Sequence, residues 1–364
     1  MTVGSDVVII GGGIIGLATA VELSLQGAQV TVLSQQFRAA AAHAAAGMLA
    51  PQAEGILPGA MLDLCLRSRA LYPEWVRKLE GLTGLDTGYW PCGILAPLYV
   101  DCLPTPQKME GLWLDRAAIA HHQPGLSTEL AGGWWFPEDG QVDNRALMQT
   151  LWIAAQTLGV TLQEGVAVHN IEYQGHRITQ LQTSAGVQQG DTYVLSAGAW
   201  SGQLLPLPVV PRKGQMLALQ VPTELEAPLS QVLFGTEIYI VPRQNGRIIL
   251  GATSEDVGFA PHNTPAGIQQ LLSGATRLYP ALKDFAIAEF WWGYRPATPD
   301  ECPILGASPY QNLVLATGHY RNGILLAPVT ARLIAALIGQ SNEDPLLASF
   351  SCDRFAVPAA NTLR

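Results

Sequence analysis

The sequence predicts an α/β fold in two parts, a Rossmann-like parallel sheet and an α+β unit built on an antiparallel sheet. Three observations predict it. The chain opens with a continuous apolar run, Val7 to Ile10, followed by Gly11, Gly13 and Gly16 at G-x-G-x-x-G spacing and then by a helical stretch to about Gln26. An unbroken apolar run of this kind marks a strand buried on both faces. A strand ending in a small-residue turn returns at Thr192–Gly202, and a strand, glycine turn and helix return at Leu313–Pro328, so the parallel sheet is assembled from separated segments. Between Lys213 and Ile249, at Gln215–Val221, Glu237–Pro242 and Arg247–Gly251, and again at Phe290–Tyr294, strands of antiparallel character follow one another.

The opening turn carries the first functional signal. Gly11 allows the tight turn, Gly13 lets a pyrophosphate approach the backbone, and Gly16 brings helix and strand together. The helix N-terminus then offers free N–H groups and a positive dipole end to phosphates. Placed between a buried strand and a helix, the motif predicts dinucleotide binding. Gln29–Ser34 reads as the second parallel strand, with Gly27 as the helix stop. Such strands usually end in an acid that binds the ribose hydroxyls. Here the position is Ser34, followed by Gln35, Gln36 and Arg38, which leaves two readings. Ser34 or Gln35 binds the ribose as a neutral partner, or Ser34 and Arg38 hold a 2′-phosphate, as in an NADP site.

Ala39–Ala46 is an alanine run broken by His43 and closed by Gly47-Met48-Leu49-Ala50-Pro51. It reads as a short helix, and its small side chains also suit a backbone lying flat against a planar ligand. Residues 58–82 form an amphipathic helix, with Leu62, Leu66, Leu71, Trp75 and Leu79 at helical spacing. The stretch from 84 to 140 reads as loop-rich, and it ends in Gly132-Gly133-Trp134-Trp135-Phe136-Pro137. His121-His122 is not read as a metal pair, because adjacent positions do not face one site. A helix begins at Asp143-Asn144-Arg145 and ends at Gly159, and strands follow at Val160–Leu162 and near Val166–Val168. The tail beyond about Gln340 is expected to be peripheral.

At 364 residues, 48% of them apolar and 13% charged, the chain is long enough for two domains around large cores. A net charge of −9 without any basic run argues against nucleic acid as a partner. Cys65, Cys92, Cys102, Cys302 and Cys352 lack C-x-x-C spacing, which fits reduced thiols in a cytoplasmic protein. No signal peptide is read at the N-terminus. No membrane span is expected either, since the most apolar candidate, Ile324–Ile338, is short and carries Pro328 and Arg332.

Four separated segments then converge: the opening glycine turn, Ala44–Leu49, Val194–Gly202 and Trp292–Leu325. With Tyr239-Ile-Val-Pro-Arg243, Gly293-Tyr-Arg-Pro-Ala-Thr-Pro-Asp300 and Gly318–Pro328, the chain resembles the flavin-dependent amine oxidases of the D-amino-acid oxidase superfamily. Within it the likeness is greatest to the glycine oxidases of thiamine biosynthesis, and it covers nearly the whole chain. The resemblance implies an FAD-binding domain of the glutathione-reductase type from residues 1–58, 140–210 and 300–364. It implies a substrate-binding domain from residues 59–139 and 211–299.

Carried over position by position, Ile14 and Ile15 lie along the pyrophosphate, and Ser34 and Gln35 meet the ribose. Ala41, Ala42, Ala46, Gly47 and Met48 pass along the flavin. Val168 contacts the adenine, Ala197, Gly198 and Trp200 border the cofactor, and Gly318, His319, Tyr320, Arg321, Asn322, Gly323, Ile324 and Leu325 close over the ring's pyrimidine end. The family commonly has an acid at Ser34 and hydroxyl residues at Ala41 and Ala42, so this chain departs from it there. Arg295 matches the arginine that pairs with the substrate carboxylate, a task suited to a planar guanidinium. Its rival reading, a surface arginine, sits poorly with the flanking Trp291, Trp292, Tyr294 and Pro296. Tyr239 matches a pocket tyrosine, or is a core tyrosine with a satisfied hydroxyl. Arg321 matches a second pocket arginine, with helix capping or a flavin carbonyl contact as alternatives.

The activity implied is oxidative deamination of glycine and other small amines or D-amino acids. Hydride passes from Cα to flavin N5, dioxygen is reduced to hydrogen peroxide, and the imino acid hydrolyses to a 2-oxo acid and ammonia. No acid–base pair is evident in the sequence, and none is required. The absence of a cysteine at Trp291–Tyr294 implies non-covalent FAD, and no metal is expected. Larger D-amino acids or N-methyl amines remain as alternative substrates. An NADP-dependent reductase or a non-catalytic nucleotide-binding module remains as an alternative class. A homo-oligomer is compatible with the family.

Overall fold

A computed structural model describes residues 5–102, 110–223, 228–339 and 344–355. The parallel sheet has six strands in the spatial order Ile304–Ala307, Leu313–Thr317, Gly190–Leu195, Ser5–Ile10, Val30–Ser34 and Thr161–Glu164. All neighbours are parallel except the first pair. Ile9 pairs with Val32 on one side and Val194 on the other, so segments almost two hundred residues apart become neighbours through one central strand.

That strand is apolar on both faces for a visible reason. Val7 and Ile9 pack into a layer formed by the helices Ile14–Leu25, Ala60–Thr83, Asn144–Thr157 and Gly323–Ile338. Val8 and Ile10 face the other way, toward Ile171, Ile178 and Leu181. These belong to a three-stranded antiparallel sheet, Val168–Gln174, Arg177–Thr183 and Gly186–Gln188, of which the sequence reading placed only the start. Asp143 caps the Asn144–Thr157 helix, accepting hydrogen bonds from the backbone N–H groups of Arg145 and Ala146.

The second sheet has eight strands, ordered Ala286–Ala297, Val210–Gln220, Arg247–Gly251, Tyr239–Pro242, Val232–Phe234, Ile94–Tyr99, Leu130–Phe136 and Leu112–Asp115. It is antiparallel except where Val232 and Leu233 run parallel to Ile94 and Leu95. Leu217 and Leu219 face the helix Pro265–Leu278, which the sequence reading did not identify, while Met216 and Ala218 face Ala46, Ala50 and Ala53.

Two expectations are corrected. The stretch from 84 to 140 is not loop-rich: it supplies three strands of the second sheet and the helix Arg116–His122. Gly132 and Gly133 pass unnoticed as strand residues because glycine normally weakens strands, yet a β-carbon on Gly132 would lie 2.4 Å from the Leu114 carbonyl oxygen of the neighbouring strand. The tail is not wholly peripheral, since Leu347 and Phe350 are buried in the first core; its last residues lie outside those described. The helix Ala60–Thr83 packs its Leu64, Tyr72, Val76 and Leu79 face against the helices of the parallel sheet.

Candidate functional site

The C-terminal ends of the parallel strands and the inner face of the second sheet enclose a cavity of 720 Å³. Open parallel sheets place their ligands in this position. At one end the wall is the opening turn. Gly11 has φ +114°, and a β-carbon there would stand 2.4 Å from the Ser196 carbonyl oxygen. A β-carbon on Gly16 would stand 2.0 Å from the Gly11 carbonyl oxygen. Both glycines are therefore demanded by packing. Gly13 differs: its φ is ordinary, and a β-carbon would meet no protein atom nearer than 3.9 Å. The space before Gly13 is the cavity itself. No side chain caps the Ile14–Leu25 helix and no acid lies in its first turn, so its positive end is left for an anion. Ser34, Gln35, Ala167 and Val168 extend this wall, whereas Arg38 is exposed and off it, which removes the basis for a 2′-phosphate site.

The middle of the wall is the alanine run. Ala41–Ala44 forms the expected short helix, and the run is gripped from behind by three side chains. Asn144 donates to the Ala42 carbonyl at 2.7 Å, Trp291 Nε1 to the Ala44 carbonyl at 3.1 Å, and Arg243 Nη2 to the Ala46 carbonyl at 2.7 Å. Arg243 also donates to Gln141 and Asn144 and pairs with Asp143. Burial lowers its pKa to about 10, so it stays charged. Gly47 (φ +75°) leaves no room for a β-carbon, which would stand 2.0 Å from the Val142 carbonyl oxygen. With its polar groups engaged behind, the run presents small side chains to the cavity.

At the far end Arg295 and Tyr239 meet. Arg295, on the strand Ala286–Ala297, donates through Nη1 to the Thr253 carbonyl at 3.1 Å and has no ion pair with any described residue. Thr253 is itself fixed, its hydroxyl accepting from the Gln215 N–H at 2.8 Å and donating to Glu255, which also binds the buried Lys213. Tyr239 Oη lies 3.2 Å from Met216 Sδ and within reach of Arg295, and burial raises its pKa. Arg321 borders the cavity, but its guanidinium is half exposed and pairs with Glu301 at 3.1 Å. His319 is buried, bonded to Thr330 at 3.1 Å, and held neutral by burial, with a pKa of about 3.

The structure thus brings Gly11, Gly13, Ile14, Ile15, Ser34, Gln35, Ala41, Ala42, Ala46, Gly47, Met48, Val168, Ala197, Gly198, Trp200, Tyr239, Arg295, His319, Tyr320, Arg321, Gly323 and Ile324 to one wall. Gly16, Gly318, Asn322 and Leu325 are not on it. Gly318 (φ +73°) makes the turn before the last helix, Asn322 is buried at that helix's N-cap position, and Leu325 is in the core. The sequence reading missed Gly214, Gly251, Thr253 and Glu54, which all line the cavity. Glu54 is the one of these with a legible signal, a lone acid in the turn after the alanine run. His122 packs on the Trp135 ring at 4.5 Å, and no group of three metal-ligating side chains gathers among the described residues.

A parallel sheet with a glycine turn, an elongated small-residue wall and, at its end, an arginine without an ion pair among the described residues defines a nucleotide-dependent enzyme. The sequence model of the FAD dependent oxidoreductase (DAO) family matches residues 6–337, and the chain belongs to that family. It is 60% identical to the bifunctional protein ThiO/ThiG of Trichormus variabilis, over 98% of this chain and 56% of that protein. The chain spans little more than half the length of such bifunctional relatives. It is 33% identical to the glycine oxidase of Geobacillus kaustophilus, over 97% of this chain and 98% of that one. The crystal structure of a glycine oxidase from the same organism superposes with a TM-score of 0.87, at 32% identity, over 96% and 98% of the two chains. FAD is the family cofactor, and the open space before Gly13, the uncapped helix end and the flat alanine wall fit it. No helix among the described residues is long and apolar enough to cross a membrane.

Proposed function

We propose that this chain oxidises glycine and other small primary or secondary amino acids, giving an imino acid that water hydrolyses to a 2-oxo acid and ammonia, with dioxygen reduced to hydrogen peroxide. The observation that carries the reading is the Arg295 guanidinium, unpaired and facing the cavity beside the Tyr239 hydroxyl. In this reading Arg295 holds both oxygens of the substrate carboxylate and Tyr239 donates to one of them. Two fixed points orient the Cα–H bond, and orientation is the larger part of what a protein contributes to such a reaction. Bound FAD supplies the two-electron acceptor. Gly11, Gly13, Ile14 and Ile15, which line the cavity, would hold its pyrophosphate, Ser34 and Gln35 its ribose, and Ala41–Met48 the flavin. No cysteine among the described residues lines the cavity, which supports non-covalent attachment.

The ThiO/ThiG names of the bifunctional relatives support a role in thiamine biosynthesis. Unpaired Cys65, Cys92, Cys302 and Cys352 support a cytoplasmic setting. The deciding experiment mixes the FAD-loaded protein with glycine, sarcosine, D-alanine and D-proline without oxygen and follows flavin absorbance. Bleaching by glycine, with peroxide on admitting air, is expected. Bleaching only by the bulkier compounds would shift the substrate to larger D-amino acids. No bleaching by any of them would end the proposal.

A further inference from the structure

Glu54 stands on the cavity wall without an assigned role. It follows the alanine run in a turn that is firmly held. The Glu54 N–H donates to the Ala50 carbonyl at 2.9 Å, the Ala53 N–H donates to Asp139 at 2.9 Å, and Arg69 donates to Gln52 at 2.7 Å. Its carboxylate makes no hydrogen bond and no ion pair with any described residue. A carboxylate left unpartnered in a half-buried position is costly unless something else completes it.

The groups around it come from every neighbouring element. Arg321, Asp139, Arg295 and Glu301 act on its charge, and Cys65 and Tyr239 feel it in turn. Loss of solvent outweighs the two arginines and lifts the carboxyl to about 7. Arg295 and Glu54 therefore border one space with opposite charges, a pattern matching the two ends of an amino-acid zwitterion.

We propose, resting on the amino-acid substrate argued above, that Glu54 receives the substrate's ammonium group and takes one proton from it. One N–H bond breaks, an O–H bond forms on the Glu54 carboxylate, and the electron pair stays on nitrogen. Nothing is oxidised in this step. It leaves the neutral amine whose lone pair is needed before Cα can give up hydride. Glu54 keeps part of its surface toward the open cavity, so the proton returns to water between turnovers. A group titrating near neutrality suits this transfer.

The test uses the FAD-loaded full chain with Glu54→Gln and Glu54→Asp. Bound-flavin absorbance and affinity for acetate, a carboxylate without an amine, should stay as in the wild type, while glycine binds more weakly to Glu54→Gln. Anaerobic flavin reduction by glycine at neutral pH should slow about 100-fold in Glu54→Gln. That rate should climb with pH toward the ionisation of the free ammonium, while the wild type levels off earlier. Glu54→Asp should recover part of the rate at neutral pH, and it carries the test if the glutamine variant does not fold. Identical rates and pH profiles in the wild type and both variants would overturn the role of Glu54 alone. A wild type that no small amino acid bleaches would instead overturn the substrate reading, and this inference with it.

Discussion

A β-carbon on Gly214 would stand 2.5 Å from Nη1 of Arg295. The two residues lie on adjacent strands, where Gly214 pairs with Gly293 and Arg295 with Arg212. The guanidinium thus lies across the one position in the strand that leaves it room. The clash in a Gly214→Ala variant would fall on the far end of a flexible side chain, so Arg295 would move and the sheet would not. Affinity for the amino acid should drop roughly tenfold or more, the scale of one lost charge-assisted bond. Thermal unfolding and the flavin spectrum should stay near wild type. A KM unchanged by this substitution would show that the guanidinium position is unimportant.

Removing the guanidinium altogether is the sharper form of the experiment. Arg295→Ala should leave the flavin spectrum almost intact and cost substrate binding roughly 3 kcal/mol, about a hundredfold in KM. Arg295→Lys should restore only part of this, because an ammonium cannot hold both carboxylate oxygens in one plane. Steady-state kinetics on glycine reads both values.

The glycines of the opening turn should separate into two classes. Gly11→Ala places a β-carbon against the backbone of Ser196 at φ +114°, so it should lower the unfolding temperature of the FAD-free protein. Gly13→Val meets open space, so the FAD-free protein should unfold within a few degrees of wild type while FAD affinity collapses. Unfolding scans with and without added FAD distinguish the two. Equal loss of apo stability in both variants would contradict the assignment of Gly13 to the ligand.

How much of this was readable beforehand depends on the range of the interaction. The G-x-G-x-x-G turn is local, and its strand, turn and helix all stand where the spacing puts them. Arg295 and Tyr239 could be picked out only through a resemblance, because nothing in their own neighbourhoods says that the two strands meet around one space. Gly214 and Gly251 were invisible for a related reason. A β-carbon on Gly251 would lie 2.5 Å from Tyr239 Oη, a constraint set across strands. Glu54 was passed over because a single acid in a turn ordinarily faces water. The Asp139–Arg69 contact, 70 residues apart in sequence, helps fix that turn at the cavity wall.

Arg243, the last residue of the Tyr239–Arg243 motif, joins the two halves of the molecule. Its strand belongs to the second sheet, and its partners are Gln141, Asp143, Asn144 and the Ala46 carbonyl. Arg243→Met fills similar space but strands these buried acceptors. Stability should fall by roughly 3 kcal/mol or more, the scale for breaking a buried charged network. Because Ala46 loses its anchor, FAD should also dissociate faster than in an Arg247→Met control, whose native contact is with the half-exposed Glu289. Urea unfolding and flavin release by fluorescence provide the two readings.

Burial holds His319 at a pKa of about 3 and, together with Arg145 and Arg38, holds His43 at about 4. Both lie below the value of about 6.5 expected in the unfolded chain. Below that pH the unfolded chain takes up protons that the folded chain refuses, so each histidine costs stability as pH falls from about 6.5 toward its folded pKa. Each contributes at most about 1.4 kcal/mol per pH unit. Two acids act in the opposite sense: Asp139, raised to about 6, and the half-buried Glu54, raised to about 7, weaken the fold as pH rises from the ordinary carboxylate range toward those values, because the unfolded chain ionises first. The net curve between pH 4.5 and 6.5 therefore mixes opposing terms, and a difference between two proteins is the cleaner quantity. In His319→Gln the three carboxyl and imidazole groups Asp139, Glu54 and His43 remain, so their contributions cancel against the wild type. The stability gap between the two should be constant above about pH 6.5 and should shrink as pH falls below it, because only the wild type has this proton to refuse. Urea midpoints taken at intervals from pH 8 down to 4.5 measure that gap, and a gap independent of pH would mean that His319 is protonated inside the fold, against the environment of Thr330 and apolar chain that surrounds it.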